Sequence, residues 1–146
     1  RVEAVSANKT IQSAETGETY ILTAACTITL PLVQDGAYFK FIIGEDFGGL
    51  NATTLRITGD ASEPVMVGSG RCIQHDNNNS GIKDVQTDGV AKAADAHFRL
   101  DITAAAAGDK LLAGSYIECV SDGVKWYVNY ELVSDDATNT TVAFTG

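Results

Sequence analysis

Apolar and polar residues trade places one by one through most of this chain, and apolar residues rarely recur at the three-and-four spacing of an amphipathic helix. The run 97–103 is a clear case: Phe98, Leu100 and Ile102 point one way, His97, Arg99 and Asp101 the other. A period of two belongs to a strand with one face buried. Thr, Val, Ile and Gly fill the segments between polar clusters, which favours strands over helices. The one exception is 89–96, where Val90-Ala91-Lys92-Ala93-Ala94 suits a single helical turn.

Strands are expected at 19–24 and 26–30, closed by Pro31, then at 37–43 after the turn Gln34-Asp35-Gly36. Further strands follow at 53–58, 65–67, 71–75 and 97–103. At the end, 116–121 and 124–132 flank Asp122-Gly123, a pair suited to a two-residue type I′ turn. That turn sets Ser121 opposite Val124, Cys119 opposite Trp126 and Ile117 opposite Val128. It leaves Tyr116, Glu118, Lys125, Tyr127 and Asn129 on a largely polar face.

About ten short strands separated by Gly, Asn and Asp turns predict an all-β fold, an antiparallel β-sandwich or jelly-roll-like barrel with terminal arms. Residues 1–133 form the expected β domain, including an N-terminal arm. Residues 134–146, rich in Thr, Asp and Asn, form a C-terminal arm anchored by Val142 and Phe144.

The chain has 146 residues, and its ten Lys and Arg stand singly among 19 Asp and Glu, a formal net charge of −9. Phosphate backbones need clustered cations, so nucleic acid is not an expected partner. A polyanionic surface also repels anionic lipid. No run nears the roughly 20 apolar residues of a membrane span, and Arg1-Val2-Glu3-Ala4 lacks a signal peptide's apolar run, so no membrane partner is expected. Cys26, Cys72 and Cys119 are an odd set without CxxC spacing. Cys26 and Cys119 fall inside apolar strand patterns and are expected as small core residues, in a protein made in a reducing cytoplasm.

Candidates for chemistry are sparse, and no catalytic, cofactor or metal residue is assigned. His75 and His97 are the available imidazoles, and neither lies in a nucleophile motif. Glu118 with Glu131, or Asp101, could form a carboxylate pair, but nothing selects one as an acid in an apolar cleft. Asp76, Asn78, Ser80 and Gly81 match the first, third, fifth and sixth positions of a calcium loop, yet Thr87 stands where the bidentate Glu belongs. The Asp76 to Gly81 loop is therefore expected as a polar turn. Gly44-Glu45-Asp46-Phe47-Gly48-Gly49 would repel phosphate. Trp126 and Tyr130 fall on the core face, while Tyr38 and Tyr127 are candidates for outward contacts.

Two blocks carry a family resemblance. Thr16-Gly17-Glu18-Thr19-Tyr20-Ile21-Leu22-Thr23 through Leu30-Pro31, followed by Gly36-Ala37-Tyr38-Phe39-Lys40-Phe41-Ile42-Ile43, resembles the opening of small β-modules in tailed-bacteriophage virion proteins. Gly114-Ser115-Tyr116-Ile117-Glu118-Cys119-Val120-Ser121-Asp122-Gly123-Val124-Lys125-Trp126-Tyr127-Val128 resembles their closing hairpin. The resemblance implies a non-enzymatic structural protein, most like a head decoration (cement) protein. It would sit on the outer capsid surface of the virion as a homotrimer, bound to the major capsid protein, after synthesis in the host cytoplasm. A glycan- or receptor-binding module of a phage tail or fibre is the alternative, and a bacterial extracellular sandwich domain is a third.

Overall fold

In the computed structural model of the chain, residues 1–45, 47–48, 54–60, 66–76, 82–90, 97–103, 110–136 and 140–145 are described. Among them strands dominate, joined by one 3-10 turn at Ser13–Glu15 and by no α-helix. The first half holds β1 (Val2–Val5), β2 (Lys9–Thr10), β3 (Thr19–Leu22), β4 (Thr27–Thr29), β5 (Asp35–Ile43), β6 (Phe47–Gly48) and β7 (Leu55–Thr58). The second holds β8 (Met66–Asp76), β9 (Ile82–Val90), β10 (Arg99–Thr103), β11 (Lys110–Leu111), β12 (Tyr116–Asp122), β13 (Trp126–Asp136) and β14 (Thr141–Thr145).

These strands form two sheets packed as a sandwich, without closing into a barrel. The larger sheet runs β1-β3-β5-β12-β13; β11 continues beside β13 past β12, and β8 then β9 lie along its other edge. The smaller runs β14-β10-β7-β4-β2.

The sheets are mixed, which corrects the antiparallel expectation. β1·β3, β3·β5, β2·β4, β4·β7 and β8·β13 are all parallel. A parallel neighbour requires a crossover, and here the crossover is a strand of the opposite sheet: β2 lies between β1 and β3, and β4 between β3 and β5. Alternation misleads on this point, because parallel strands are normally covered on both faces. Here β3 buries Tyr20 and Leu22 on one face and leaves the other partly open.

The C-terminal hairpin has the expected strands and faces but a different register. Ser121 stands opposite Trp126, Cys119 opposite Val128 and Ile117 opposite Tyr130. The loop therefore holds Asp122 to Lys125 rather than Asp122-Gly123 alone. Gly123 takes a left-handed backbone, at φ +83°. The Asp122 carboxylate organises the rest by accepting the backbone N–H groups of Val124 and Lys125, both at 2.8 Å. A shift of two residues leaves every side chain on its own face, so alternation cannot distinguish the two registers.

The segment 134–146, expected as an arm, enters the sheets instead. Ser134 to Asp136 complete β13, and β14 pairs antiparallel with β10. Val142 and Phe144 face the core because they alternate with Thr141, Ala143 and Thr145. The N-terminal segment likewise pairs with the larger sheet through β1.

The core between the sheets is aromatic at its centre. Tyr20 stacks on Phe41 at 5.6 Å, and Phe39 tilts against Trp126 at 5.8 Å. Leu55, Ile57, Leu100 and Ile102 meet them from the smaller sheet, all fully buried. Leu100 and Ile102 were expected inward, as were Trp126 and Tyr130. The β8–β13 pair runs tight. A Cβ at Gly68 would fall on the Val128 carbonyl oxygen, and one at Gly70 on the Tyr130 carbonyl and ring. Glycine there admits the neighbouring backbone and lets Tyr130 lie over β8.

Candidate interaction surface

The residues weighed for chemistry are spread across the molecule and neutralised locally. Glu118 is held below the usual carboxylate range by the Lys40 ammonium at 3.0 Å, aided by the Tyr38 hydroxyl at 3.1 Å. Glu131 pairs with Arg71 at 2.8 Å. Asp101 lies on the other sheet. Burial alone would raise its pKa, but hydrogen bonds from Arg56 and Thr145 hold it down. An ionised, paired carboxylate is a poor proton donor, so neither Glu118 nor Asp101 has the raised pKa of a general acid.

His75 Nδ1 lies 3.4 Å from Asp135, on a half-exposed surface. His97 stands at the entry to β10, apart from it. Of the Asp76 to Gly81 loop, Asp76 ends β8 and residues 77–81 lie outside the described residues, as does the expected helical turn at 91–96. The three cysteines are buried and none is in a disulfide. Burial pushes the Cys26 and Cys119 thiols up, keeping them neutral and unreactive.

Sequence reading missed one cluster. Glu3, Glu15 and Glu18 bring carboxylate oxygens within 4.8 Å of one another where the chain crosses from β1 to β2 and back to β3. The spacing gives no hint of it, because the crossing between sheets brings these residues together. Lys9 supplies the cation, with Nζ at 3.0 Å from Glu3 and 3.1 Å from Glu15. Glu3, ahead of Glu15, raises the Lys9 pKa; the Gln12 N–H, with Lys9 and Tyr20, lowers that of Glu15. An ammonium inside the chain thus fills the place a metal ion would take.

The two outward faces of the sandwich differ in kind. On the smaller sheet, Thr29, Thr58, Arg99 and Thr145 form one row across four strands, and Thr27, Arg56, Asp101 and Ala143 form the next. Asp101 binds Arg56 through two hydrogen bonds and accepts the Thr145 hydroxyl, with Arg99 at 3.3 Å. This face is hydroxyl-rich and tied together by charge.

On the larger sheet, Tyr38, Val120 and Tyr127 form a row across β5, β12 and β13. Val120 is 43% exposed and Tyr127 40%. Both rings are tethered to β12, the Tyr38 hydroxyl donating to Glu118 and the Tyr127 hydroxyl to Asp122 at 2.9 Å. The two tyrosines thus flank Val120 from either side with their orientations fixed. Val124, 65% exposed, adjoins the row in the hairpin loop, where its N–H is bound by Asp122, and Leu32, 69% exposed, lies in the loop before β5. The loop before β5 reaches the hairpin there, through the Gln34 N–H to Ser121 Oγ at 3.2 Å. Sequence reading placed Tyr38 and Tyr127 outward but did not single out Val120, whose neighbours only the strand order reveals.

Comparison with protein-family models, curated proteins and solved structures finds no match to the chain.

Proposed function

We propose that the chain is a non-enzymatic structural protein of a tailed-bacteriophage virion, which decorates and stabilises the outer capsid surface by bridging major capsid protein subunits, itself a homotrimer. One observation carries this reading beyond the resemblance itself. The two blocks that resemble phage virion modules are far apart in sequence, yet their strands β3, β5, β12 and β13 are consecutive neighbours in the larger sheet. Four of the five strands in the two blocks therefore lie side by side and carry the exposed Tyr38–Val120–Tyr127 row, while β4 of the first block lies in the smaller sheet.

The mechanism is thermodynamic linkage. A protein that binds only neighbouring subunits of an assembled shell adds its binding free energy to the assembled state and none to free subunits. Several modest contacts in one oligomer combine through effective concentration. The test is to add purified protein to assembled shells and to unassembled subunits, then follow co-sedimentation and shell melting. Binding to shells alone, with a higher shell melting temperature, is expected. Equal binding to neither or to both refutes decoration. A receptor-binding tail module is the second reading, favoured by the outward tyrosines, and it predicts attachment to host cell surfaces instead.

A further inference from the structure

We infer that the patch formed by Tyr38, Val120 and Tyr127, with Val124 of the adjoining hairpin loop, is a dry docking site for a protein surface with an apolar centre and a Lys- or Arg-bearing rim. The decoration reading supplies the occupant, the outer surface of the shell.

The two carboxylates that hold the rings are already engaged within the chain. Glu118 accepts from Tyr38 and Lys40. Asp122 accepts from the Val124 and Lys125 N–H groups and from Tyr127. A surface whose hydrogen bonds are internally satisfied can be dehydrated without orphaning a donor or acceptor, as the dry centre of a protein interface requires. Sugar recognition needs the opposite, polar groups left to bond ring hydroxyls. The tethers also fix both rings before any partner arrives, so less side-chain freedom is lost on docking.

Charge selects the kind of protein. Asp35 and Asp122 stand directly opposite each other on β5 and β12 at the patch border. A second copy docking patch to patch would set these carboxylates against their own images, on a chain of net charge −9. A basic rim meets them favourably.

The probe is the assembled shell of the encoding phage, washed free of the chain, with wild type, Val120→Thr, Val124→Asp and Val2→Thr titrated onto it. Val→Thr keeps the shape of the side chain but buries a hydroxyl without a partner, so Val120→Thr should weaken binding about tenfold. Val124→Asp should weaken it further. Val2→Thr, exposed on β1 outside the patch, should bind as wild type, and all variants should melt within a few degrees of it. If Val120→Thr and Val124→Asp bind shells like wild type, the patch is refuted while decoration stands. If wild type ignores shells, decoration itself falls and the patch with it. A wild-type oligomer that Val120→Thr dissociates, or saturable binding to a glycan array lost in Val120→Thr, also overturns the docking site.

Discussion

The two outer faces of the sandwich are built from the same strand geometry and use their polar groups differently. On the smaller sheet, Arg56, Asp101, Arg99 and Thr145 bind one another across β7, β10 and β14, so polar contacts stitch strands together. On the larger sheet, Glu118 and Asp122 hold tyrosine hydroxyls, so polar contacts pose aromatic rings around an exposed Val120. The first arrangement contributes stability to the fold. The second also links β5, β12 and β13, and it leaves Val120 exposed between two fixed rings. Perturbing the smaller face should therefore be read in melting curves, and perturbing the larger in binding.

The largest stability effect should come from removing residues 140–146, which deletes the edge strand of the smaller sheet. Val142 and Phe144 are each 6% exposed, and burying two such side chains is worth roughly 3–6 kcal/mol. Thermal denaturation should show a midpoint lower by more than about 10 °C; an unchanged midpoint would return the segment to the role of a detachable arm.

Gly123→Val comes next, because its φ of +83° is strained for a β-branched residue and the new Cβ would sit 3.3 Å from the Asp35 nitrogen. A loss of about 1–3 kcal/mol is expected in urea unfolding. No loss would mean that the hairpin loop does not hold this conformation in solution.

Asp101→Ala should cost about 1–2 kcal/mol at neutral pH, since Arg56 and Arg99 lose their shared acceptor. The pH dependence has a definite sign. The folded Asp101 pKa lies below 3.8, so its contribution is fully present above that value and is lost as pH falls through the lower, folded value. The gap between wild type and variant should therefore close in acid, and a gap that widened there would contradict the Arg–Asp network.

The smallest stability effect belongs to Val120→Thr, under about 0.5 kcal/mol. Chemical denaturation should barely separate it from wild type. A large loss would mean that Val120 supports the fold, and the contrast between the two faces would collapse.

How far the sequence reveals this molecule depends on which physical signal each feature leaves. Alternation gives the parity of a strand, so Leu100, Ile102, Trp126 and Tyr130 could be placed in the core from their neighbours alone. Parity fixes register only modulo two, and the hairpin slipped by two residues for that reason. Strand direction also leaves no local trace, because β1, β3 and β5 become parallel only through β2 and β4 on the opposite sheet. The tail was misread because its polar Thr141 and Thr145 mark the open face of a strand as readily as a solvated arm. The candidate surface was half legible. Tyr38 and Tyr127 could be placed outward, but their meeting around Val120 depends on β5, β12 and β13 lying side by side, and residues 38 and 127 are brought together only by the fold.

The most direct test is cryo-electron microscopy of virions with and without the protein, at a resolution that orients the sandwich. Density on the outer capsid surface, with the Tyr38–Val120–Tyr127 face turned toward the shell and the Arg56–Asp101 face toward solvent, is the expected result. Density confined to the tail, or a sandwich lying on the shell by its Arg56–Asp101 face, would contradict it.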